Sequence, residues 1–558
     1  MARRFARHER RSVTDLDGVW DFAFLGDVDP DAVAVEAIAF EDVMAVPGSF
    51  DATPAYAGKR GLAAYRTRVH VAETGRHRLV FDAVHHWCRV FWDGEPIGEH
   101  SSGFTRFTAD IEHAEAGTVE IVVLADNRFG ERSPLHLEHF DWYHFGGITR
   151  SVELHRLEDT WIEHLRIDTV DLDARRVSVA VDYYGAAQGA SLVIECGDVL
   201  VEERVDLDPS GRIEREIELP GAELWSPSNP ALHPVRVRLG EDDMCERFGL
   251  RKVTAESGRV AVNGEPLTLR GFNRHESHPN FGHAQPIGQL VADVQQLRDL
   301  GCNFVRGSHY PQDPLFLDLC DEAGILVWSE SIGWQYPVER LTDADFVAAQ
   351  LEHIDEMVAA ARNHPSVIMW GILNESPSGE PEVRPAYERL LGRLRELDPS
   401  RPVTYATNHV YDDVCLDLVD VVSVNCYPGW YVDGIADIPG ELDRIAAHVD
   451  AAGHAGKPLV ISEIGAGAVP GWHDQNHSMW TEEYQAELLE TVIRHLAEGQ
   501  DRISGLGIWV LGDFRTSEAK HMLLGRPRGI NDKGILDEYR RPKQAYGAVR
   551  RLFRAMRE

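Results

Sequence analysis

The sequence has no run of about 18 apolar residues, the length a bilayer-spanning helix needs, and no CxxC pair. A helical membrane channel is thereby excluded. Its seven cysteines (Cys88, Cys196, Cys245, Cys302, Cys320, Cys415 and Cys426) lie far apart, an odd and scattered set that reads as free thiols in a reducing compartment. The basic start, residues 1–12, is followed by no apolar stretch, so a signal peptide is not expected and a cytoplasmic location is. Positive charge is in deficit, with 56 Lys+Arg against 91 Asp+Glu and a formal charge of −35. Nucleic acid and anionic membrane surfaces are therefore poor partners. Lysine is scarcest of all, at six of those 56 cations.

What is present is the mix of a folded protein, 43% hydrophobic and 26% charged. A length of 558 residues suits three or four domains of roughly 150 residues each. Residues 1–155 read as β, with short apolar or alternating runs at 77–83, 88–92 and 119–125. Asp93-Gly94 between two of these runs predicts a hairpin. Residues 156–255 continue as β, with runs at 176–183, 191–195 and 234–239, the spacing of a β-sandwich. A single larger β domain is the alternative.

From residue 256 to 558 the pattern changes to apolar strands alternating with helical segments. The expected strands are 267–272, 303–305, 325–329, 367–373, 403–406, 421–424, 459–462 and 505–511. Helices are expected at 288–300, 314–323, 344–361, 382–397, 442–452, 482–496 and 544–556. Eight such units in series predict a closed (β/α)8 barrel rather than a doubly wound sheet.

In such a barrel the reactive side chains project from the C-terminal strand ends. Here those ends carry polar clusters: 270–276, 306–311, Glu330, 370–375, 425–428, Ser462-Glu463 and 509–513. Glu375 and Glu463 stand out. Hydrolysis of a glycosidic bond with retention needs two carboxyl groups about 5 Å apart, one acid and one nucleophile. Barrel closure would bring these two together; the alternative is a pair of structural ion-pair partners. Trp370, Tyr427, Trp430, Tyr431 and Trp509 offer flat faces to sugar rings.

These motifs resemble glycoside hydrolase family two, the group of β-galactosidases, β-mannosidases and β-glucuronidases. The resemblance rests on residues 16–20, 145–150, 270–279, 308–311, Asn374-Glu375 and Ser462-Glu463, and spans nearly the whole chain. It implies an N-terminal β jelly-roll, an immunoglobulin-like β-sandwich and a C-terminal TIM barrel. It implies Glu375 as general acid/base, held protonated by burial and by the charge of Glu463, and Glu463 as nucleophile. Asn374 would hydrogen-bond the 2-hydroxyl and Tyr427 would keep Glu463 ionised. His309, Tyr431 and Trp509 would line the sugar site, and Asp141 would reach it from the first domain. Asn531 and Lys533 resemble the Asn-x-Lys motif with which β-glucuronidases hold the C6 carboxylate, an ammonium and an amide suited to a charge-assisted pair. Arg526 and Arg528 both stand where a further cation is expected.

The implied reaction is exo-hydrolysis of small-molecule or oligosaccharide β-D-glucuronides by double displacement, with no metal or organic cofactor. The resemblance also implies a homo-oligomer, dimer or tetramer. Rivals are a β-galacturonidase or β-galactosidase with the same pair, and a catalytically silent carbohydrate-binding protein. The −35 charge opposes an anionic substrate, but exposed charges beyond about 8 Å are screened and a desolvated Lys533 outweighs them. The family pattern is broken at Ile464 and Cys426, and the short segment between strands three and four leaves no long loop over the pocket.

Overall fold

The computed structural model describes residues 3–520 and 523–556. In the first β region a six-stranded and a four-stranded antiparallel sheet pack face to face. Leu62–Val71 and Gly117–Asp126 pair over their whole length at the centre of the larger sheet. The hairpin of Trp87–Trp92 and Glu95–His100 turns through Asp93 (φ 46°) and Gly94 (φ 83°), the two positive φ values of a type I′ turn. Alternation does the layering: Phe107, Ala109 and Ile111 point inward, while Thr108, Asp110 and Glu112 are exposed. The next β region packs a three-stranded sheet on a four-stranded one, with a separate apolar core around Ile162, Val179, Leu192 and Val237.

Eight parallel strands close the barrel: Leu269–Arg274, Phe304–Gly307, Leu326–Glu330, Val367–Ile372, Val403–Thr407, Val422–Asn425, Leu459–Ile464 and Ile503–Ile508, numbered one to eight below. Strand one pairs with both two and eight. The helix Pro314–Ala323 begins at an Asp313 cap, whose carboxylate accepts from Leu315 N at 2.8 Å, and stops at Gly324 (φ 71°). The helix Ala344–Ala361 is capped likewise by Asp343 and buries Phe346, Val347, Gln350, Ile354, Met357 and Val358, the stripe that faces the strands.

The observed boundaries differ from the expected ones where a neighbour claims the backbone. Strand eight ends at Ile508, although the apolar run continues to Leu511, because Val510 N turns to Lys533 O and Leu511 N to Asn273 O. Strand one starts later than its apolar run because Glu265–Leu267 pairs with Arg259–Val262 in a small separate sheet. The fifth expected helix, 442–452, begins early, at Ile438, where Pro439 occupies its first turn.

The first domain is anchored on the barrel mouth by residues 127–150. Phe140 and Trp142 belong to the barrel's own core, and Arg150 donates to Glu276 at 3.0 Å and to Pro311 O at 2.7 Å. Trp225 plugs the other end of the barrel, its Nε1 donating to Asp321 O at 3.0 Å. All seven cysteines are unpaired. No helix among the described residues is long and apolar enough to cross a membrane.

Candidate active site

Glu375 follows strand four and Glu463 lies on strand seven, and a short chain of polar contacts joins them. Asn425 is the strand-six partner of Glu463 in register, yet its Nδ2 donates to Glu375 Oε1 at 2.9 Å and to Asn374 Oδ1 at 3.0 Å. Gln335 Nε2 donates to the other Glu375 oxygen at 2.9 Å. Glu463 accepts from Tyr427 Oη at 2.7 Å and from Arg306 Nη1 at 2.7 Å. Arg306 Nη2 donates to Asn374 Oδ1 at 2.8 Å, which closes the loop between the two carboxylates. Asn374 Nδ2 is buried without a partner, a free donor beside the pair. Gly465 keeps strand seven tight against strand eight, since a Cβ there would lie 2.3 Å from Trp509 O.

Burial and the charge of Glu375 push the Glu463 carboxyl up to about 8, against the pull of Arg306 and Tyr427. The guanidinium and phenol donors favour the charged form of Glu463 over that of a carboxyl without them. Tyr427 itself is pushed upward by burial and by both glutamates, so it remains a donor.

A second cluster faces this pair. Arg526 forks onto Asp141 at 2.8 and 2.7 Å, and Asn531 Nδ2 donates to the same carboxylate at 2.7 Å. Burial raises Asp141, but Arg526, Lys533 and Asn531 bring it down to about 2. Lys533 is 3% exposed, its Nζ 2.9 Å from Tyr431 Oη and within 6 Å of the Tyr427, Trp430 and Tyr431 rings. Burial and Arg526 lower the Lys533 ammonium, while Lys533 and Arg526 lower the half-exposed Tyr431 phenol. Arg528 turns the other way, to Asp532 at 2.6 Å and Glu538 at 3.4 Å. Of the two arginines, Arg526 is the one in the cluster.

The ten residues singled out in the sequence therefore gather at one mouth, through the contacts just given and through Trp509, which stacks on His309 at 5.1 Å and 18°. Trp370 does not join them. It is enclosed in the barrel wall, with Nε1 on Asp398 at 2.9 Å and Arg401 over its ring. Sequence reasoning assigned no role to Arg306, Asn425, Gln335, Glu330 or Asn273. Arg306 had a readable signal: an arginine at a strand end, three residues before His309, with two acidic strand ends to meet.

Among the described residues, two buried groups elsewhere bring three metal-ligating side chains within 4.8 Å: His86, His136 and His144, and Asp318, Asp321 and His364. Neither includes a residue of the mouth. The His86 and His136 rings stack parallel at 4.2 Å and 4°, so their lone pairs do not converge, and Asp318 is already forked by Arg3. A cleft of about 620 Å³ between sandwich and barrel, lined by Asp168, Arg251, Arg362 and Arg401, lies at the opposite end, before the starts of strands four and five. Its arginines are held by Asp168, Asp398 and backbone carbonyls, the pattern of a packed junction.

Residues 253–558 match the family model for the TIM barrel domain of glycosyl hydrolases family 2, and residues 52–158 that family's sugar binding domain. The chain belongs to glycoside hydrolase family 2. Within that family it is similar to a β-glucuronidase of Rattus norvegicus, 30% identical over 527 residues, covering 85% of this chain and 78% of the relative. A β-glucuronidase of Paenibacillus borealis is 28% identical over 609 residues, 98% of each. Among solved structures, a β-galacturonidase from Eisenbergiella tayi bound to galacturonate superposes with TM-score 0.92 and 34% identity over all of both chains. A β-D-glucuronidase from Dictyoglomus thermophilum gives 0.83 and 26% over 98% of each.

Proposed function

We propose that this family 2 chain is a retaining exo-β-uronidase acting on β-D-glucuronides. Glu463 attacks the anomeric carbon while Glu375 gives its proton to the departing glycosidic oxygen. A covalent glycosyl-enzyme results, and Glu375 then takes a proton from the water that releases the sugar and restores the Glu463 carboxylate. Asn374, with its unpartnered amide donor, holds the 2-hydroxyl, and Tyr427 and Arg306 steady the charge on Glu463. His309 and Trp509 form the floor of the sugar site, and Asp141 binds its outer hydroxyls.

The observation that carries the uronide reading is Lys533. A buried ammonium whose hydrogen-bond partner among the described residues is a phenol keeps donors for a carboxylate. Arg526, Asn531 and Tyr431 surround it, and the β-glucuronidase relatives favour glucuronate. The Eisenbergiella tayi neighbour favours a second reading, galacturonate, which carries the same C6 carboxylate. Division into 1–155, 156–255 and 256–558 is supported by the bulk of each region having its own apolar core, although Phe140, Trp142 and Trp225 reach into the barrel's cores. Seven unpaired thiols support a cytoplasmic location.

Initial rates on aryl β-glucuronide, β-galacturonide and β-galactoside, measured side by side, test the proposal. A glucuronide preference is expected. Faster galacturonide turnover would favour the second reading, and galactoside as the best substrate would overturn both.

A further inference from the structure

Arg306 is enclosed at the mouth and its guanidinium uses all five N–H groups. Nε and Nη2 fork onto Glu330 at 2.8 and 2.9 Å. The second Nη2 hydrogen meets Asn374 at 2.8 Å, and the two on Nη1 meet Glu463 at 2.7 Å and Asn273 at 3.0 Å. Trp328 lies under the guanidinium, 4.5 Å from Cζ. Glu330 thus takes two of five donors, is itself 0% exposed, and has no part in the chemistry outlined above.

Its other polar neighbour is His309, with Nδ1 3.1 Å from Glu330 Oε1 and 3.2 Å from Arg306 Nη2. Both Nη2 hydrogens are committed elsewhere, so His309 carries its proton on Nδ1 and donates it to Glu330. That leaves Nε2 as an acceptor, 3.9 Å from Glu463 Oε1. Burial and Arg306 keep His309 neutral. The groups facing this centre are then Arg306 and His309 beside strand two, Glu375 after strand four, Tyr427 after strand six, Glu463 on strand seven and Asp141 from the first domain.

A guanidinium 2.7 Å from a carboxylate holds its charge firmly, and a carboxylate so held is a weaker base and nucleophile. Glu330 shares that cation. We propose that Glu330 is a positioning residue for the nucleophile: its fork fixes Arg306 so that one N–H meets Glu463, and its charge offsets the guanidinium so that Glu463 stays reactive. This inference rests on the reading of Glu463 as nucleophile.

The test compares Glu330→Gln with the wild type in the pH profile of kcat/KM and in the pre-steady-state rate of aryl release. Without the charge, Arg306 acts on Glu463 alone, and the acid limb is expected to move down by about one pH unit. Glycosylation should slow by about tenfold as the fork loosens. An acid limb that stays in place, with only total activity reduced, would overturn the inference, because a structural role lowers the active fraction without moving the limb. Should Glu330→Gln fail to fold, Glu330→Asp serves: its shorter carboxylate keeps the charge but cannot close the fork. Slower glycosylation with an unmoved limb is expected there, and a wild-type rate would overturn the inference. The profile is read on whichever aryl β-glycoside the wild type hydrolyses. Loss of the uronide preference would then sink the proposed substrate and leave Glu330 standing, whereas turnover by Glu463→Gln would sink the nucleophile assignment itself.

Discussion

Replacing the proposed nucleophile by its amide, Glu463→Gln, is expected to abolish turnover and to stabilise the protein at alkaline pH. Glu463 is 3% exposed, and burial with the charge of Glu375 raises it from an ordinary 4.5 to about 8. The folded state therefore holds a proton that the unfolded chain releases near pH 4.5. Stability from this source is complete below that value and is lost as pH rises through 8. The interval of 3.5 units, at 1.36 kcal/mol each, sets an upper bound of about 5 kcal/mol. Relaxation and water at the pocket mouth reduce it to about half. A glutamine imitates the protonated form and does not titrate. The variant should match the wild type at pH 5 and exceed it at pH 8 by about 2–3 kcal/mol, or about 2 °C in Tm. Buried acids with raised values outside this cluster, such as Asp313, are common to both proteins and cancel in the difference. Thermal unfolding of both proteins at the two pH values reads this directly. An equal Tm difference at pH 5 and pH 8, or a wild type more stable at pH 8, would refute the reasoning.

Lys533→Met should lower kcat/KM on an aryl β-glucuronide by about a hundredfold, the loss of one charge-assisted contact, and change aryl β-galactoside turnover little; equal losses on both would remove Lys533 from the carboxylate site. Trp142→Ala empties a fully buried indole position where the first domain meets the barrel. It should cost about 3–5 kcal/mol by denaturant unfolding and weaken sugar binding by freeing neighbouring Asp141. An unchanged KM would mean that Asp141 is positioned by Arg526 and Asn531 without help from Trp142.

The alternation of apolar runs and helical segments made the barrel legible, because a parallel strand buried on both faces must be apolar and its crossover helix must be amphipathic. Helices with local punctuation were read to the residue: Pro314–Ala323 and Ala344–Ala361 carry their caps in the letters, at Asp313 and Asp343. Strand eight was overextended since nothing local ends it; Asn273 and Lys533, more than 20 residues away in either direction, take its backbone.

At the site, the letters alone singled out as candidates the two glutamates, the amide beside one of them, and the scarce lysine, since chemistry and motif both restrict those residue types. Folding was needed to show that Arg526 rather than Arg528 turns to Asp141, that Trp370 is walled in while Trp509 stacks on His309, and that Arg306 joins Glu330 to Glu463. A side chain's type is written in the chain, but which way it points at a closed strand end depends on neighbours tens to hundreds of residues away. Charge sharing among buried groups exists only once those neighbours have excluded water.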